Sequence, residues 1–196
     1  MVRPHAFGYN PETAATNTFQ RPQDLRGAAG AGAQARAEFE RVVQALSSEG
    51  ISVCAVDDTT PPAKPDAVFP NNWLSFHDDG TLVLYPMQSA SRRLERRPEV
   101  IDAAVKRLNF KVSHLIDLTH HEKQGRFLEG TGSLVLDHAQ RVAYACTSPR
   151  TDAELVAEWA RELKYEAVIF QAADRAGAPL YHTNVLMCIG ERAVVI

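Results

Sequence analysis

Phe127-Leu128-Glu129-Gly130-Thr131-Gly132 places a carboxylate, followed by two glycines, at the mouth of an apolar hairpin that runs to Thr147. Acidic residues rarely enter such surroundings without a partner. Working outward, the same arrangement recurs on either side, as Phe69-Pro70-Asn71-Asn72-Trp73 upstream and Tyr181-His182-Thr183-Asn184 downstream. Each time a helical stretch and a short apolar strand lead into a hairpin whose first strand opens on an unusual polar residue. The three units span about 34–87, 98–147 and 151–196. A recurrence at roughly fifty to sixty residues indicates a propeller or array, because one such unit cannot bury its apolar face alone. Equivalent stations of a radial array converge on its axis. The pattern therefore predicts that an amide, a carboxylate and an imidazole meet there.

The local signals are consistent with this phase. The first two dozen residues are irregular and rich in Pro, Asn and Thr, and the small-residue run Gly27 to Ala33 reads as a flexible connection. Phe39, Val42, Val43 and Leu46 repeat at helical spacing from about Gln34 to Ser48, before a terminating Gly50. A strand is expected over Ile51 to Val56, and Pro61, Pro62 and Pro65 enforce a loop. Hairpins follow at about 67–85, turning at Asp78-Asp79-Gly80, and at about 133–147, turning near Asp137 to Gln140. Between them lie a helix from about Glu99 to Leu108 and a strand from Lys111 to Leu118. Thr151 with Glu154 has the form of a capping box for a third helix, whose apolar face includes Leu155, Trp159 and Leu163. A strand at Val168 to Phe170 and a hairpin turning at Gly190-Glu191-Arg192 complete the third unit. Its last strand ends on Val194-Val195-Ile196, so self-association through open edges, or a fragment of a longer protein, is expected.

With 45% hydrophobic and 23% charged residues, the 196-residue chain has the composition of a soluble globular protein. A formal charge of −3 supplies no electrostatic attraction for nucleic acid or an anionic membrane. Arg92, Arg93, Arg96 and Arg97 cluster, but Glu95 and Glu99 interrupt them, as on a solvated helix start. No leader-like run follows Met1, and no apolar stretch is long enough to span a bilayer. Cys54, Cys146 and Cys188 fit reduced, buried thiols in a cytoplasmic protein.

The motifs Asp66-Ala67-Val68-Phe69-Pro70-Asn71-Asn72-Trp73, Phe127 to Gly132 and Tyr181 to Asn184, in this order, resemble the guanidino-group-modifying superfamily. This group comprises arginine deiminases, dimethylarginine hydrolases and amidinotransferases. The opening Met1-Val2-Arg3-Pro4 and Thr13 to Gln20 look like its arginine-deiminase-related, citrulline-utilising branch. The resemblance implies an α/β fold in which 1–196 is one incomplete α/β-propeller domain, with three of five ββαβ blades. It implies hydrolysis of a C–N bond in a citrulline- or arginine-like amino acid, without a cofactor. In that chemistry a cysteine thiolate attacks the guanidino or ureido carbon, a histidine moves protons and a glutamate orients the histidine. Amidinotransferase activity or a non-catalytic amino-acid-binding remnant are the alternatives.

Carried onto this chain, Glu129 takes the orienting place and His182 the acid/base place, with Nδ1–H of the imidazole expected to face the carboxylate. Asn72 and Asn184 stand where deiminases hold a guanidinium with carboxylates. A neutral amide cannot offer that charge-assisted contact, but it pairs well with a neutral urea, which favours a citrulline-like substrate. Arg92 matches the element whose first arginine binds the substrate α-carboxylate, and Arg150 occupies the corresponding place after the second hairpin. The nucleophile does not match. The superfamily places it after a glycine-rich stretch near the C-terminus, which has no counterpart here. Cys188 sits at even strand spacing from His182 but about 20 Å along an extended chain, so it reads as core and the chain as catalytically silent.

The remaining motifs carry less chemistry. His114, His120, His121 and Glu122 match no zinc spacing. Gly125, Gly130 and Gly132 lack the Lys-Ser or Lys-Thr of a phosphate loop and suit close backbone approach. Asp66 reads equally as a catalytic group or as a loop cap.

Overall fold

Two three-stranded sheets share one connectivity, hairpin, helix, then a strand parallel to the hairpin's second strand. In the first, β3 (Leu74–Phe76) and β4 (Thr81–Leu84) are antiparallel, with Leu74 opposite Leu84. β5 (His114–Asp117) then joins β4. Ser113 N donates to Gly80 O and Leu118 N to Leu84 O, so β5 runs parallel to β4. In the second, β6 (Leu134–Asp137) pairs antiparallel with β7 (Val142–Cys146), and β7 pairs parallel with β8 (Glu166–Phe170). A computed structural model of the chain describes residues 1–17, 20 and 28–196. These residues form two compact units, Met1–Pro70 with Asp78–Thr81 and Ser89–His114, and Asn71–His77 with Leu82–Gln88 and Leu115–Ile196. The fold is mixed α/β.

The second unit holds the larger core. α6 (Ala153–Leu163) presents Leu155, Val156, Trp159, Ala160 and Leu163 to a cluster containing Val83, Tyr85, Leu134, Ala143 and Ala145. Ala143 and Ala145 point inward from β7 while Val142 and Tyr144 are half-buried, the period of two that a one-sided strand requires. Burying Leu155, Val156 and Leu163 contributes about 1.5–3 kcal/mol each. Asp152, not Thr151, caps α6, its side chain accepting from Leu155 N, and Glu154 instead pairs with Arg126 at 2.7 Å. The expected capping box is thus one residue out of register, because Thr151 is buried and its hydroxyl is used elsewhere. A small antiparallel pair, β9 (Cys188–Ile189) and β10 (Val194–Val195), closes the last hairpin as expected.

In the first unit β1 (Val2–Arg3) pairs parallel with β2 (Val56–Asp57), and Cys54 donates its thiol proton to Ala103 O. The strand expected over Ile51 to Val56 shrinks to this two-residue contact, since β1 offers no more backbone. The first two dozen residues are less irregular than expected: Asn10 caps a one-turn helix α1 (Pro11–Ala14), while 18, 19 and 21–24 lie outside the described residues. α2 (Ala28–Ser48) begins far upstream of Gln34. The run read as a linker is helical from Ala28, because alanine's helix propensity offsets the glycines, and Gly27 lies outside the described residues. α3 (Ala90–Arg93) and α4 (Pro98–Arg107) follow, with Pro98 at the first turn, where its missing N–H costs nothing. Gly80 adopts φ +86 in the first hairpin turn, as that turn demands.

Candidate active site

Each of the three polar stations lies on, or immediately before, a single helical turn that leads into a hairpin. The turns are Pro70–Asn72 before β3, α5 (Gly130–Ser133) before β6, and Thr183–Val185 before β9. The first strands of the three hairpins start later than the sequence suggests, at Leu74, Leu134 and Cys188.

The turns are knitted together inside the second unit. Gly130 adopts φ +43, and a Cβ there would strike Asn71 O and lie 3.1 Å from Asn72 O. Asn72 Nδ2 donates to Glu129 O at 3.4 Å, and Thr131 Oγ1 to Asn71 O at 3.5 Å. Glu129 is fully buried at the head of α5. Its Oε1 accepts from Gln88 N at 3.2 Å, and its Oε2 lies 2.9 Å from His182 Nε2. A carboxylate oxygen accepts, so Nε2 carries the shared proton. The proton that faces the carboxylate is thus on Nε2 and not on Nδ1, the reverse of the sequence expectation. The His182 ring lies against Gly132, where a Cβ would stand 2.8 Å from both Cε1 and Nδ1.

Arg150 adds a positive charge. Its Nη1 lies 3.6 Å from Glu129 Oε2, its side chain is buried, and its guanidinium stands 5.0 Å from the Tyr181 ring centroid. Tyr181 also packs against His182, with centroids 4.8 Å apart. Arginine and aromatic faces attract in this arrangement. Glu129 therefore faces both a guanidinium and an imidazole, in surroundings where a lone carboxylate would be costly.

A family model described as N,N dimethylarginine dimethylhydrolase, eukaryotic, matches residues 3–196. The chain belongs to this family. With it the chain falls in the guanidino-group-modifying superfamily. Solved structures agree in fold. The N-terminal domain of ArgZ, an arginine dihydrolase from cyanobacteria, determined with bound substrate, is 19% identical at a TM-score of 0.63, over 99% of this chain and 64% of that one. A dimethylarginine dimethylaminohydrolase adduct with 4-chloro-2-hydroxymethylpyridine is 16% identical at 0.62, over 82% and 58%. The Pseudomonas aeruginosa dimethylarginine dimethylaminohydrolase with citrulline is 16% identical at 0.61, over 81% and 56%. The chain thus spans less than two thirds of each of these proteins. No curated protein matches it.

Within this dimethylhydrolase family member, the other expected site residues are placed differently. Asn184, on the Thr183–Val185 turn, is exposed. Arg92 belongs to the first unit, where it is buried and bidentate to Glu95, with Nε and Nη2 each 3.0 Å from a carboxylate oxygen. Asp66, in the same unit, accepts from Asn10 Nδ2 at 2.7 Å and lies 3.9 Å from Arg92 Nε. Of the arginine cluster read as solvated, Arg92 and its interrupting Glu95 are therefore buried.

The sequence did not point to the Tyr181 ring or to four hydroxyls, those of Ser133, Ser148, Thr151 and Thr183, that hold the segments carrying Glu129, Arg150 and His182. The two-glycine spacing after Glu129 was the one available signal.

His120, His121 and Glu158 come together with ligand atoms within 4.8 Å. Arg126 donates to His121 Nδ1 at 3.1 Å, leaving the ring proton on Nε2, where it faces Glu158 at 3.2 Å. That is the chemistry of a hydrogen-bonded neutral imidazole. Glu122, expected in this group, instead accepts from Met87 N at 2.8 Å. Burial pushes the Cys146 thiol above its ordinary value, away from the thiolate a nucleophile needs. Cys188 is exposed, not core, and the helical turn at Thr183–Val185 means that it shares no continuous strand with His182. Among the described residues, no helix is long and apolar enough to cross a membrane.

Proposed function

We propose that this chain carries the acid/base and substrate-holding part of a hydrolase acting on the C–N bond of a guanidino or ureido amino acid. The observation that carries this reading is the buried 2.9 Å contact between Glu129 and His182, at the heads of two helical turns. Glu129 fixes the imidazole tautomer and stabilises the imidazolium formed when Nδ1 takes a proton. The same nitrogen then returns that proton to the leaving amine. Arg150 places a guanidinium beside the carboxylate, 3.6 Å from its Oε2.

Asn72 and Asn184 provide amide rather than carboxylate contacts, which suit the neutral ureido group of citrulline better than a guanidinium. Arg150, inside the second unit, is the candidate partner of the substrate α-carboxylate. It already faces Glu129, so a substrate carboxylate would share its guanidinium. The two ββαβ units, 74–117 and 134–170, are read as blades of a five-bladed α/β propeller, with the residues on either side belonging to neighbouring blades.

The thiolate step is assigned to a cysteine other than Cys54, Cys146 and Cys188, so this chain binds without turning over. Ammonia release from citrulline and from arginine, and dimethylamine release from dimethylarginine, test this. No turnover is expected. Turnover abolished by Cys188→Ala would make Cys188 the nucleophile and overturn the assignment.

A further inference from the structure

Thr183 adjoins His182 and is fully buried, yet its hydroxyl belongs to no catalytic group. Oγ1 donates to Ser133 O at 2.5 Å and accepts from Cys146 N at 2.8 Å. Ser133 is equally buried, and its hydroxyl is saturated. It accepts from Glu129 N at 3.0 Å and from Thr151 Oγ1 at 2.7 Å, and donates to Arg150 O at 3.1 Å. A hydroxyl donates once and accepts at most twice, so Ser133 has no capacity left. Ser148 adds a parallel tie, accepting from Arg150 N at 3.0 Å and donating to Tyr181 O at 2.7 Å. The result is a web in which the turn after His182, the turn after Glu129 and the segment bearing Arg150 are each fixed by hydroxyl groups at backbone atoms.

We infer that Thr183 is a positioning residue that sets His182 Nε2 against Glu129 Oε2, an inference that rests on reading this pair as the acid/base centre. No contact of Thr183 with substrate is needed. Its two hydrogen bonds run to α5 and β7, so they fix the His182 backbone relative to the element that begins at Glu129. A side chain without the hydroxyl leaves Ser133 O and Cys146 N without this partner in a dry site, which favours local rearrangement over the native geometry.

The test compares Thr183→Val and Thr183→Ser by NMR of the His182 ring, following the Nε2–H proton that Glu129 shelters from exchange. The serine variant keeps both hydrogen bonds and is expected to retain the wild-type signal and exchange rate. The valine variant is expected to exchange this proton about tenfold faster, the factor carried by one lost net hydrogen bond. Leu163→Ala, a core variant on α6, serves as the control for general loosening. An unchanged proton in folded Thr183→Val overturns the inference, as does an equal effect in Leu163→Ala at matched thermal stability. If the valine variant does not fold, a folded serine variant with a lost or displaced signal also overturns it. The readout needs no substrate, so failure of citrulline to bind would count against the functional reading and leave this inference standing.

Discussion

His182 occupies the space that a side chain on Gly132 would fill, since a Cβ there would lie 2.8 Å from both Cε1 and Nδ1 of the imidazole. The same Cβ would lie 2.3 Å from Asn72 Nδ2, so the glycine makes room for both side chains. Gly132→Ala is expected to push His182 off its carboxylate and to destabilise the fold by about 1–3 kcal/mol, the usual cost of overpacking. Chemical denaturation gives the energy, and the His182 ring signals give the displacement. A variant that keeps both stability and signals would show that the ring has slack.

Tyr85 is buried beneath Trp159, and burial pushes its phenol up to about 12, against hydrogen bonds from Ser75 and Trp159. The folded value lies above the ordinary one, so the native state favours the neutral phenol. That contribution is complete below about pH 10 and is lost as pH rises toward 12, reaching roughly 3 kcal/mol. Stability measured from pH 9 to 12 is expected to fall more steeply in the wild type than in Tyr85→Phe.

Much of the site was legible because its groups are chemically conspicuous. Glu129 and His182 stand at equivalent stations of a repeat, and the structure joins them. The hydroxyl web was not legible. Ser133, Ser148, Thr151 and Thr183 are common residues whose importance arises only from burial and from backbone atoms distant in sequence. Gly27 to Ala33 misled for the opposite reason: small residues signal flexibility, yet four alanines between Ala28 and Ala33 favour a helix. Thr151 was taken from the helix terminus by a tertiary hydrogen bond, and Asp152 replaced it. Cys188 misled because strand periodicity was extended through a helical turn.

Arg92 and Glu95 form a bidentate pair with side chains only 3% and 2% exposed. Glu95→Ala strands a buried guanidinium and is expected to cost about 3–5 kcal/mol. Replacing both partners with Met and Leu is expected to recover most of that loss. Thermal or urea melts of the single and double variants decide it. A mild effect of Glu95→Ala would show that Asp66, 3.9 Å from Arg92 Nε, suffices as the counter-ion.

The central claim is that Glu129 and His182 form a binding and proton-transfer centre for a ureido or guanidino amino acid. The most direct measurement is titration of the protein with citrulline while the ring signals of His182 are followed. The account predicts a saturable shift of the His182 signals, abolished by Glu129→Gln in a variant shown to be folded. Signals that stay fixed up to high citrulline, arginine and dimethylarginine concentrations, in a protein that retains the 2.9 Å Glu129–His182 contact, would contradict it.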